Sequence, residues 1–66
     1  MDKKKLETYD LIGKAKLEAE LIAAAFGHQT RIVEEDGESF ISTAEYNYDR
    51  INFHIKHNTV VDAYRG

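Results

Sequence analysis

The chain is 66 residues long, with twelve acidic against nine basic residues, a net charge of −3 and no cysteine. That length allows one domain, which buries only about 60% of the surface its unfolded form exposes, so a marginal core and a monomer or weak oligomer are expected. The missing cysteine excludes disulfides and thiolate sites. The acidic balance argues against general nucleic-acid binding, and no apolar run approaches the ~18 residues that cross a bilayer.

Lys3, Lys4 and Lys5 open the chain. They supply the basic region of a secretion signal, but Glu7 and Asp10 interrupt the apolar stretch that must follow it. The expected compartment is therefore the cytoplasm, or the periplasm or exterior if this is a mature chain. Residues 1–10 are expected to form a flexible N-terminal segment, and residues 11–66 a single domain.

Residues 15–26 predict a helix. Leu17, Leu21, Ala24 and Ala25 recur at helical spacing, with Ile22 and Phe26 widening the stripe, and Leu21 is expected at the centre of the buried face. Gly13 suits a tight turn before this helix, and Gly27 suits its stop. Residues 30–34 predict a strand around Ile32 and Val33, ended by the acidic turn at 34–38. A long loop is expected over 39–49, with Phe40 and Ile41 anchoring its near end. Residues 50–56 alternate cleanly. Ile51, Phe53 and Ile55 take one face and Arg50, Asn52, His54 and Lys56 the other, the pattern of a half-buried strand. His57-Asn58 predicts a two-residue turn into a last strand at 59–64, closing an antiparallel hairpin. The expected fold is α+β: one helix on a small mixed β-sheet, with a long exposed loop between the first two main strands, which run parallel if they are neighbours.

The residues that would make an enzyme are missing. Ser39 and Ser42 have no histidine near them in sequence and no glycine elbow. The glycines form no phosphate cradle. Glu34, Glu35 and Asp36 are contiguous, so they do not face one another as an acid and base do. His54 and His57 have no evident third ligand. Neither enzymatic activity, nor a metal, nor a cofactor is expected. A stiff loop on a small scaffold points instead to binding a protein partner.

Four segments carry a resemblance. Leu11-Ile12-Gly13-Lys14 leads into the single helix. Thr43-Ala44-Glu45-Tyr46 places a threonine and an acid around one small residue. Tyr48-Asp49-Arg50-Ile51-Asn52 opens the strand behind the loop, and Arg65-Gly66 closes the chain. In this order and spacing the chain resembles the potato inhibitor I family of serine peptidase inhibitors, and its small bacterial members in particular. The resemblance covers residues 11–66. It departs from the family in a longer stretch from Gly37 to Arg50, a loop without proline, and the absence of the bacterial members' cysteines.

The resemblance implies a substrate-like binding loop made of Ile41, Ser42, Thr43, Ala44, Glu45 and Tyr46, with the scissile bond between Ala44 and Glu45. It implies that Arg50, Asn52 and Gly66 support the loop, with Thr43 and Glu45 bonding back to Arg50. The small Ala44 implies an elastase-like or subtilisin-like serine protease as the partner. The plain reading of Arg50 is a surface arginine paired with Asp49 or a nearby glutamate. Tyr46 and Tyr48 suit either a packed flank or an interface anchor. The alternative function is a cytoplasmic interaction protein, of phage or mobile-element origin for instance, that uses the same scaffold against a non-protease partner.

Overall fold

Alternation along the chain's second half organises the whole molecule. The computed structural model describes residues 5–40 and 45–66. A 3-10 helix, Thr8–Leu11, is followed by α1, Lys16–Ala25. Four strands follow: β1, Gln29–Glu35; β2, Glu38–Ser39; β3, Arg50–Lys56; and β4, Thr59–Arg65. The sheet order is β2-β1-β3-β4. β1 and β3 run parallel, and the other two pairs are antiparallel. The chain is an α+β domain, with α1 packed on one face of a four-stranded mixed sheet.

β3 lies at the centre and drives Ile51, Phe53 and Ile55 into the core, as its alternation demands. β4 adds Val60 and Ala63. These are three residues apart, and both point inward because a register shift opposite His54 and Ile55 inserts an extra residue into β4. The β3–β4 turn holds His57 at φ 51° and Asn58 at φ 61°. Two consecutive left-handed residues are what a tight right-twisted hairpin requires. The free edge of β4 is not left open. Gly13 donates to the Val60 carbonyl, Val60 to Lys14 and Lys16 to Asn58, so the chain before α1 pairs along that edge.

α1 ends in a cap built on Gly27, which adopts φ 85°. The amide of Gly27 donates to the Ala24 carbonyl, and that of His28 reaches back to Ala23, each at 2.9 Å. This paired closure satisfies carbonyls that the helix end would otherwise leave unbonded. At the other end, Lys16 forms a two-oxygen ion pair with Glu35 at 3.0 Å, tying the helix start to the end of β1.

Two expectations are corrected. The helix is rotated from its expected phase: Ala19 and Ala23 are fully buried, with Ile22 packed against the core. Leu17 and Leu21 are instead 66% and 62% exposed. Both stripes have helical spacing, and the small alanines allow the helix axis to approach the sheet closely. The packed domain also reaches further toward the N-terminus than residue 11. Leu6 is 5% exposed within the core, and its carbonyl accepts a bond from Arg65 at 3.1 Å. A smaller difference lies after β1, where the acidic turn tightens to Asp36-Gly37 and the chain returns as β2. Phe40 then donates to the Val33 carbonyl at 3.0 Å, extending this return along the edge of β1.

The packing predicts opposite outcomes for two truncations. Phe53→Ala removes a fully buried ring and should cost about 3–5 kcal/mol, enough to unfold much of so small a domain. Leu21→Ala should change stability by no more than about 0.5 kcal/mol, because the side chain is mostly in water. Chemical denaturation of both variants checks the pair. A large loss at Leu21 would mean that something covers it in solution.

Candidate functional site

The candidate site is the crossover between β2 and β3, together with the polar face of the sheet beneath it. Four of its expected residues, Ile41, Ser42, Thr43 and Ala44, lie outside the described residues. Glu45 and Tyr46 are described and exposed. From Glu45 to Arg50 the chain descends onto β3, and this descending leg is held at several points.

Its lower end is a local turn. The Asn47 side-chain oxygen accepts from the Asp49 amide at 2.9 Å, and the Asn47 carbonyl accepts from the Arg50 amide at 3.0 Å. Asparagine favours such turns because its side chain mimics a backbone carbonyl. The Asp49 carbonyl accepts from the Gln29 amide at 3.2 Å, and His28 Nδ1 lies 3.1 Å from the same oxygen. Arg65 braces the leg from β4. One guanidinium nitrogen donates to the Tyr48 carbonyl at 3.2 Å, and the guanidinium carbon lies 4.8 Å from the centre of the Tyr48 ring. Tyr48 is thus a flank residue stacked on a cation, although its ring remains exposed.

The upper part of the leg is held by Arg50. Its Nη2 donates to the Glu45 main-chain carbonyl at 2.8 Å, and its Nε donates to the main-chain oxygen of Gly66 at 2.9 Å. One planar guanidinium therefore bridges the loop and the end of β4, a task its rigid fork of donors suits. Arg50 forms no ion pair with Asp49 or a glutamate among the described residues. The expected bond from Arg50 to Glu45 is present, but it runs to the backbone carbonyl and not to the carboxylate.

Asn52 is expected among the loop supports by the resemblance, but its burial is not expected. Alternation puts it on the polar face, yet it is fully buried, the only buried polar side chain among the described residues. Its Nδ2 donates to the Gly66 oxygen at 3.0 Å, and its Oδ1 accepts from Arg31 Nε at 2.8 Å. Both ends of the amide are thus bonded, as burial requires. Arg31 was not indicated by the sequence. The parallel register of β1 and β3 sets it directly beside Asn52. Its Nη2 also lies 3.5 Å from the Gly66 oxygen, a weak third contact.

Gly66 is the meeting point. Its amide donates to the Arg50 carbonyl at 3.0 Å, so it continues the β3–β4 pairing. Its φ is 140°, and a Cβ there would stand 3.3 Å from the Tyr46 ring. The position therefore needs glycine on two counts: backbone conformation and the close approach of Tyr46. Tyr46 is exposed, yet its ring edge shelters this junction.

His54 and His57 do not converge on a common point. His54 Nδ1 lies 2.8 Å from Glu34, and its ring stacks obliquely 6.0 Å from Tyr64. Among the described residues no group of three or more histidines or carboxylates could hold a metal. No helix in the described residues is long and apolar enough to cross a membrane. The chain matches no family model, no curated protein and no solved structure.

The bonding pattern makes a prediction. Arg50→Ala should speed limited proteolysis within residues 38–48 several-fold, with a modest loss of global stability. Bonds to a charged donor contribute about 1.5–3 kcal/mol each, and the lower end applies to a half-exposed arginine. Asn52→Ala should cost about 1–3 kcal/mol of global stability, because it orphans the donor Arg31 Nε and removes one donor from the acceptor oxygen of Gly66. Proteolysis mapped by mass spectrometry, with denaturation alongside, separates the two effects. Equal cleavage rates for Arg50→Ala and the parent would sink the bracing role of Arg50.

Proposed function

We propose that this protein inhibits a serine peptidase by presenting residues 41–46 as a substrate-like loop, with the bond between Ala44 and Glu45 placed at the attacking serine. The observation that carries this reading is the bridge from Arg50 to the Glu45 carbonyl and to Gly66. It fixes the backbone on the leaving-group side of the proposed bond, anchored to the sheet rather than to the loop itself.

The mechanism follows from that anchoring. A loop held in shape before docking loses little conformational entropy on binding, which favours tight association. When the protease serine attacks the Ala44 carbonyl, the new amine belongs to Glu45. In an ordinary substrate that amine diffuses away and water takes its place. Here the Glu45 carbonyl is tied through Arg50 to β3 and β4, so the amine stays beside the acyl carbon. Religation then competes with hydrolysis at high effective concentration. The buried Asn52 and its partner Arg31 support the same junction from beneath. Ala44 presents a single methyl group, which suits a shallow specificity pocket of the elastase-like or some subtilisin-like kind.

This reading predicts that specificity follows one residue. Ala44→Leu or Ala44→Tyr should shift inhibition toward subtilisin-like or chymotrypsin-like enzymes, and Ala44→Lys toward trypsin-like ones, with fold stability nearly unchanged. Arg50→Ala should convert the inhibitor into a substrate, cut after Ala44 and then degraded. The assay is inhibition of an elastase, a subtilisin, a chymotrypsin and a trypsin by the parent and these variants. If none of them inhibits any of the four, and all are digested as ordinary substrates, the reading fails and a non-protease partner takes its place.

A further inference from the structure

The outward face of α1 presents an apolar stripe that no other described element covers. Leu17 and Leu21 stand one turn apart at 66% and 62% exposure, and Ala24 and Ala25 continue the stripe. The helix buries only Ala19 and Ala23, with Ile22 partly covered, so its larger apolar side chains point away from the core. A contiguous exposed apolar patch rimmed by polar residues is the surface character of interaction sites.

The two residues that directly border the stripe carry one sign of charge. By helical phase, Glu18 borders the stripe on one side and Glu20 on the other. The neighbouring cation, Lys16, is taken up by Glu35 of β1. Among the described residues neither Glu18 nor Glu20 has an ion-pair partner. Lys14 and Lys5 line a hollow with Ile22 and Phe26, further round the helix past Glu18. This pattern discriminates between occupants. In a pair formed by two copies of α1, whether parallel or antiparallel, glutamates meet glutamates along both borders, which opposes self-association. An anionic lipid surface is repelled in the same way. A helix with its own leucine stripe bordered by Lys or Arg satisfies both the apolar and the charged parts of the surface.

We propose that the outer face of α1 is a docking surface for a basic amphipathic helix of another protein, anchored by Leu17 and Leu21 and bordered by Glu18 and Glu20. The surface lies across the sheet from the Arg50–Asn52–Gly66 junction, because α1 packs on the face of Ile51, Phe53 and Ile55 whereas Arg50 and Asn52 point to the other. A partner held there leaves the loop open. This proposal does not rest on protease inhibition.

The probes are two synthetic helical peptides with the same leucine stripe, one bordered by lysines and one by glutamates, titrated into the intact protein by fluorescence anisotropy. The lysine peptide should bind roughly tenfold more tightly than the glutamate peptide, and that preference should shrink in high salt. Leu17→Ser with Leu21→Ser should abolish binding while the far-ultraviolet circular dichroism stays that of the parent. Glu18→Lys with Glu20→Lys should reverse the preference between peptides. Sedimentation equilibrium should show one copy of the free protein. Equal binding of both peptides, no binding of either, or a dimer that the serine variant dissolves would each overturn the proposal, the last in favour of a second copy on this face.

Discussion

Everything distinctive about this domain depends on one main-chain oxygen, that of Gly66. Arg50 and Asn52 donate to it directly and Arg31 approaches it, and these side chains rise from two adjacent parallel strands. The same Arg50 reaches the Glu45 carbonyl, so loop, sheet and the end of β4 share one polar junction. A small protein has little apolar area to spend on fixing a loop. Charge-assisted bonds anchored in a buried amide give a directional alternative that needs few residues.

The junction explains the division of labour between the two faces of the sheet. On one face, Ile51, Phe53 and Ile55 meet the alanine side of α1 and make the core. On the other, Arg50 and Asn52 alternate with them and organise the crossover. One strand therefore carries stability on its odd-numbered positions and the site on its even-numbered ones. Mutations along β3 should accordingly differ in kind: losses at the buried Ile51, Phe53, Ile55 and Asn52 destabilise the domain, whereas loss of the half-exposed Arg50 loosens the loop. Helix α1 contributes its alanine side to the first of these faces and leaves Leu17 and Leu21 exposed.

Three of the four strands were legible in the sequence because strand periodicity is short and the residues at 50–56 have no competing pattern, whereas the two-residue β2 lies in the stretch expected as turn and loop. The hairpin turn was legible because asparagine tolerates left-handed backbone at Asn58. The helix was found within a residue at each end, but not its phase. Leu17, Leu21, Ala24 and Ala25 form one stripe and Ala19, Ile22 and Ala23 another, and hydrophobicity alone favours the leucines. The sheet covers the alanine stripe, a tertiary choice that periodicity does not encode. The resemblance named Arg50, Asn52 and Gly66, and the structure joins these three by hydrogen bonds. Arg31 was beyond reach, since only the parallel register brings it to Asn52. The burial of Asn52 was hidden because alternation assigns it to the solvent side, and what covers it comes from the distant residues Gly66 and Arg31.

Arg31 offers the most direct test of the junction, because among the described residues its side chain hydrogen-bonds to Asn52 and Gly66 and to no residue of the descending leg. The measurement is amide hydrogen exchange by nuclear magnetic resonance in Arg31→Met, which keeps length and apolar bulk while removing the donors. If the junction transmits order from sheet to loop, the amides of Asp49, Arg50 and Gly66 lose protection while those of Phe53 and Ile55 keep theirs. Unchanged protection at Asp49, Arg50 and Gly66 would contradict the account. So would a loss spread evenly across the sheet, which would make Arg31 a prop of the whole fold rather than a support of the loop.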